Sequence, residues 1–157
     1  MARKIITMLC ALAVTGMLFP AATDKAKAEA IVKKAVAFYQ ANGEAKAVAA
    51  FHDKKGQFVD GDYYVFMYNF TGVCLAHGML NEKVGKNWIE QKDIDGKLYI
   101  LDIVKTAKSD KGGGLWTPTY KNRVPTTKAI QTKTSFVMKV PGKDVLIGCG
   151  IFLADAK

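Results

Sequence analysis

The segment from Gly61 to Asn87, GDYYVFMYNFTGVCLAHGMLNEKVGKN, holds the residues best placed for chemistry: a run of hydroxyl-bearing aromatics and one of the chain's two histidines. Tyr63 to Tyr68 is aromatic or aliphatic at every position, which suits a strand buried on both faces. Asn69-Phe70-Thr71-Gly72 supplies turn chemistry, with Gly72 free to take positive φ. Val73, Leu75 and His77 then alternate onto one face of the returning strand, setting a titratable imidazole at the end of an apolar row. A hairpin of this kind can wall a small-molecule pocket. It is not in itself a catalytic signature.

No nucleophile, base and orienting group assemble elsewhere in the chain. His52 and His77 are the only histidines, no G-x-S-x-G occurs, and the carboxylates fall on turns. Gly112-Gly113-Gly114 is no phosphate loop, because no Lys-Ser/Thr follows and it leads into a strand. Cys74-Leu75-Ala76-His77 lacks the second cysteine of a haem attachment, and no other Cys/His cluster exists. The chain therefore reads as a non-enzyme with no catalytic residues, no metal site and no cofactor. Cys74 and Cys149 both fall in strand-like apolar runs, open to a disulfide in an oxidising compartment or to packing as two free thiols.

The N-terminus points to export. Arg3 and Lys4 precede an apolar stretch from Ile5 to Phe19, followed by small residues from Ala21 onward. This is the basic, apolar, small-residue order of a secretory signal. It is short of the roughly 20 apolar residues a membrane span needs. Residues 1–28 are read as the signal peptide, with cleavage after Ala22 or Ala28, and 29–157 as one domain of periplasmic location with no membrane span after processing. The formal charge of +9 falls to about +7 once Arg3 and Lys4 are removed. The remaining lysines are scattered and most aromatics sit in strand patterns, which argues against a nucleic-acid partner.

The elements that must position the hairpin follow from periodicity. Lys25 to Ala41 and Glu44 to Phe51 pattern as two helices broken at Asn42-Gly43. Asp95 is placed to cap a third helix through Ala107, with Leu98, Leu101, Ile103 and Val104 as its apolar stripe. Lys111 to Gly114 reads as a flexible break, and Leu115 to Tyr120 as a strand with Trp116 and Tyr120 on the same side. Ala129 to Val140 and Val145 to Leu153 form two more strands around a Pro141–Asp144 reversal. With three closing strands adjacent, the class is α+β with a mostly antiparallel sheet.

That order, with the segments AEAIVKKAVAFYQANGEAKAVAAF, GQFVDGDYYVFMYNFTGVCLAHG, VGKNWIEQKDIDGKLYI, GGGLWTPTY, KTSFVMKV and DVLIGCGIF, resembles the single Cache domain family, the extracytoplasmic PAS-like ligand sensors of bacteria. The resemblance covers essentially the whole mature chain. It departs where the family commonly has Pro after the hairpin histidine, here Gly78, and an acidic turn residue, here Asn69. The membrane helices and output domain usual in such receptors are also missing from the sequence.

The resemblance implies a five-stranded antiparallel sheet in the order 2-1-5-4-3, with N-terminal helices and one helix between strands 2 and 3, the helices packed on one face, and a pocket between sheet and covering segments. Strand one would then separate Cys74 from Cys149 by roughly 10 Å, which favours free thiols. The implied function is that of an exported sensor or carrier for a small organic acid, amino acid or amine, acting through a membrane receptor, kinase or transporter in signal transduction or chemotaxis. Lys133, at a position the family usually keeps basic, is the candidate cation for a carboxylate. Tyr64, Tyr68, His77, Trp116 and Tyr120 are the candidate donors and aromatic walls. The competing readings are an interaction module whose pocket is filled by its own side chains, and a small exported enzyme.

Overall fold

Thr23 opens the first helix, its hydroxyl accepting from the Ala26 amide at 3.3 Å, and α1 runs Asp24–Asn42. Ala28, Val32, Ala35, Val36 and Tyr39 recur at helical spacing and form its buried stripe. Gly43, at φ 79°, ends α1 and lets the chain turn into α2, Glu44–His52. The Tyr39 hydroxyl donates to Glu44 at 2.8 Å and ties the two helices together. The computed structural model describes residues 23–153. The expected signal sequence, apart from the alternative boundary at Ala28, lies outside the described residues. No helix among the described residues is long and apolar enough to cross a membrane.

Seven strands form one antiparallel sheet: β1 Val59–Asp60, β2 Tyr63–Asn69, β3 Cys74–His77, β4 Leu115–Trp116, β5 Tyr120–Arg123, β6 Ile130–Lys139 and β7 Val145–Phe152. The spatial order is β3-β2-β7-β6, with β4 and β5 both on the far edge of β6 and the short β1 beside β3 on the outer edge of β2. The expected order of the five principal strands is therefore present. The sheet is larger because β1 is added and the third expected strand is split in two. Pro118, which has no amide hydrogen to donate, sits in that split.

The split also changes sides. Trp116 faces Phe136 across the ladder while Tyr120 faces Lys133, so four steps on one strand match three on the other. The extra residue reverses the alternation, and Trp116 and Tyr120 point to opposite faces rather than the same one. A bulge does the same in the hairpin. Met67 opposes Ala76 and Tyr68 opposes Cys74, which leaves Leu75 as the additional residue. His77 therefore shares its face with Cys74, not with Leu75.

The helices cover both faces of the sheet, not the one expected. On the first face α1 and α2 pack against Val65, Met67, Phe136, Ile147, Cys149 and Ile151. On the second, α3, Tyr99–Ser109, packs Tyr99, Ile100, Ile103, Val104 and Ala107 against Tyr64, Phe66, Tyr68, Val137 and Leu146. Asp95 does not cap this helix. The Asp93 carboxylate accepts from the Asp95 and Lys97 amides at 3.0 and 2.9 Å and holds that segment as a turn, so α3 begins later and its buried stripe is Tyr99-led. The glycine run after α3 is likewise pinned rather than flexible. One oxygen of buried Asp110 accepts from the Gly112, Gly113 and Gly114 amides at 2.8–3.0 Å, and the other accepts from Lys139.

Candidate functional site

The second face encloses a chamber between β2, the N-terminal half of α3, and the β5–β6 ladder. Its free space is about 20 Å³, room for about one water molecule. Tyr64, Tyr68, His77, Tyr120 and Lys133 all line it. Five of the six residues expected from sequence are thus brought together. Trp116 is not among them: it lies on the opposite face beside Phe136, with its indole N–H donating to Glu29 on α1 at 3.1 Å.

Lys133 is the chemical centre of the chamber. Its side chain is 1% exposed, and Nζ donates to the Tyr64 hydroxyl at 2.7 Å and lies 4.6 Å from the Phe152 ring centroid. No carboxylate pairs with it among the described residues. Burial pushes its pKa below the ordinary 10.5, because an ammonium out of water with no counter-ion is costly. Because the lysine donates to the Tyr64 oxygen, the Tyr64 hydrogen is free for an acceptor in the chamber.

The aromatic residues set the walls. Tyr99 and Tyr120 stack at 4.9 Å with their planes 13° apart, and burial raises both phenols to about 12, so they remain donors at neutral pH. The Tyr120 and Ser135 hydroxyls are hydrogen-bonded at 2.7 Å. Glycine opposite these groups makes the room. Gly148 lies under the Phe66 ring and Gly150 under the Lys133 stem, each too close for a β-carbon.

His77 is buried against the Tyr64 ring at 4.9 Å. Its Nδ1 accepts from the Met79 and Leu80 amides at 3.2 and 3.0 Å, which requires the neutral ring with the proton on Nε2. Burial drives its pKa far below 6.5, and the neighbouring Lys83 and Lys133 charges add to the effect. Its fixed role is to hold the segment that leaves the hairpin. Gly78, next along, donates its amide to the Val65 carbonyl at 2.9 Å, a bond that the proline common in the family would remove.

Sequence reasoning missed Lys83, Tyr99 and Asn122, which also line the chamber. Lys83 closes a short 3-10 turn, Asn81–Lys83, in a segment with no periodic pattern. Its Nζ lies 3.4 Å from the Tyr99 hydroxyl and 5.0 Å from the Trp88 ring, and burial lowers its pKa. A larger cleft of about 230 Å³ adjoins the chamber through the shared residues Tyr64, His77, Lys83 and Asn122, and it adds Lys54, Arg123 and Lys128 to the lining. Neither lining contains an acidic residue. A paired site of this kind, cationic and donor-rich with aromatic walls, can receive a small anion.

Comparison with known proteins agrees with this fold. The family model described as Single Cache domain 2 matches residues 26–157, and the chain belongs to that family. The sensor histidine kinase MctS of Rhizobium johnstonii is 35% identical over 94 residues, which make up 60% of this chain and 20% of the kinase. The chain thus spans only a small part of that relative. A methyl-accepting chemotaxis protein from Vibrio parahaemolyticus superposes with a TM-score of 0.68 at 24% identity, over 83% of this chain and 89% of that one. A Cache chemosensory domain studied for carboxylic acid recognition superposes with a TM-score of 0.62 at 22% identity, over 82% of this chain and 87% of that one.

Proposed function

We propose that this member of the single Cache domain 2 family is an exported, periplasmic sensor or carrier domain that binds a small carboxylate. On this reading the ligand is held on Lys133 and Tyr64, and the bound state is passed to a membrane receptor, kinase or transporter. One observation carries the choice of ligand class: a fully buried ammonium whose one hydrogen-bond partner among the described residues is a phenol, in a chamber lined without acids. A carboxylate supplies the counter-charge the protein withholds, whereas an amine would add a second positive charge to a desolvated space. The Tyr64 hydrogen and the Tyr120 and Ser135 hydroxyls supply further donors, and the Tyr99–Tyr120 stack a flat wall. The kinase MctS and the carboxylate-recognising Cache domain support the class of ligand and of output by analogy.

The small free volume favours a second reading, an interaction module whose pocket is filled by its own side chains. The two make different predictions. A thermal-shift screen of acetate, propionate, pyruvate, glycine and methylamine should raise the melting temperature for the acids and leave it unchanged for the amine. A flat response to every compound would remove the ligand reading and leave the filled module.

A further inference from the structure

The chamber and its vestibule hold more positive charge than one carboxylate can balance. Lys83 and Lys133 both line the chamber, and the Lys133 charge adds to the burial that disfavours the charged form of Lys83. Lys54, Arg123 and Lys128 then line the adjoining cleft, which shares Lys83 with the chamber. The acids that act on these two lysines, Glu82 on Lys83 and Asp62 on Lys133, lie outside both linings, and Asp62 is already engaged by the Thr126 hydroxyl at 2.8 Å. Arg123 is held in place by donating to the Lys128 carbonyl at 2.9 Å, and Lys128 by donating to the Pro125 carbonyl at 2.6 Å. Both cations are thus positioned by neutral backbone oxygens, and no carboxylate pairs with either among the described residues.

Space divides in the same way. The inner chamber leaves only about 20 Å³ beside Lys133 and Tyr64, so the small end group of a ligand must sit there and the rest outside, while the cleft beyond Lys83 and Asn122 has the room the chamber lacks. A monoanion seated on Lys133 would leave the Lys83 ammonium facing it uncompensated in a part-buried site. A ligand with a second anionic group on the vestibule side would neutralise both.

Building on the proposed carboxylate site, we infer that the ligand is a short dicarboxylate, with one carboxylate on Lys133 and Tyr64 and the other on Lys83 at the mouth of the cationic cleft. Lys83 is then the residue that selects dianions over monoanions of the same length. Lys54, Arg123 and Lys128 raise the local concentration of the dianion, an effect that salt screens.

The test is calorimetry with succinate and butyrate, acids of equal chain length and different charge, on the wild type and on Lys83→Gln. The wild type should bind succinate roughly tenfold to a hundredfold more tightly, and the preference should shrink as salt is added. Lys83→Gln should lose most of that preference, with succinate weakened at least about tenfold more than butyrate, and a far-UV circular dichroism spectrum matching the wild type shows that the variant is folded. Butyrate binding as tightly as succinate would overturn the dianion assignment and leave the carboxylate site standing. An equal loss for both acids in Lys83→Gln would remove Lys83 as the selector. Binding of neither acid would remove the carboxylate site itself.

Discussion

Gly150 on β7 leaves the space that Lys133 on β6 fills. A β-carbon at Gly150 would stand inside van der Waals contact of Lys133 Cε and 2.9 Å from its Nζ. The residue next to it in the ladder, Ser135, lies on the same face. Glycine here serves a buried cation, not a turn, and that links a backbone position to the site's charge.

Gly150→Ala should therefore displace the lysine without unfolding the sheet. Two of the three atoms in the way belong to the far end of the flexible lysine, which can swing aside, and the third is the Ser135 Oγ at 2.8 Å, which must shift a little. Far-UV circular dichroism should match the wild type while carboxylate affinity falls at least about tenfold, the usual scale of a lost charge-assisted contact. Retained affinity would mean that the ammonium is not anchored where the ligand sits.

His77 gives a pH signature in stability rather than in binding. Its folded pKa is depressed below the ordinary 6.5, so above 6.5 the ring is neutral both folded and unfolded and has no effect. Below 6.5 the unfolded chain takes up a proton that the folded ring refuses, and stability should fall by up to about 1.4 kcal/mol per pH unit. Chemical denaturation of wild type and His77→Gln between pH 4 and 7 checks this, and the variant should lose that part of the slope. Ligand affinity should carry no His77 titration between pH 6 and 8.

Cys74 and Cys149 are both free and buried, on β3 and β7 with β2 between them. Burial raises both thiols to about 11, which keeps the reactive thiolate scarce at neutral pH. Both should resist a thiol reagent at pH 8 in the folded protein and react fully in denaturant without reductant. A protein in which neither reacts after unfolding would have them bonded to each other and would contradict the strand order.

The mature protein should begin at Thr23. Cleavage after Ala28 would strip the Thr23 cap, the Asp24 carboxylate that accepts from the Tyr63 hydroxyl at 2.6 Å, and the Lys27–Asp60 ion pair at 2.6 Å. It would also remove Ala28, which is fully buried in the core. Intact-mass analysis of protein from the periplasm should show the Thr23 start; a start at Glu29 would show that the first turn of α1 is dispensable.

Much of this fold was legible because periodic segments are long: α1, α2, β6 and β7 lie within a residue or two of where apolar spacing puts them. The sidedness of single residues was less so. Leu75 and the Pro118 segment each add one residue to a strand, and each reverses which face the residues beyond it occupy. That is why Trp116 leaves the site and why His77 joins Cys74. Lys83 carried no signal at all, since it lies in an aperiodic loop among many surface lysines, and only the folding of Asn81–Lys83 over Tyr99 brings it to the chamber. Lys133 was identified by its place in the family pattern; its own neighbours, alternating Thr, Lys, Thr and Ser, read as an ordinary half-exposed strand.

If the Lys133 ammonium anchors a carboxylate, removing it must cost affinity. Calorimetry of Lys133→Met against the wild type, with the acid that gives the largest thermal shift, tests it most directly. Binding should weaken roughly 30-fold to several thousand-fold, from about 2–5 kcal/mol of lost interaction. The melting temperature of the ligand-free variant should at the same time rise by a few degrees, because a costly buried charge has been replaced by an apolar side chain of similar length. The same cost should appear in the wild type as a stability that rises with pH toward 10.5, where the unfolded lysine still holds a proton that the folded one has lost. Unchanged affinity in Lys133→Met would contradict the account and leave the chamber a packed core.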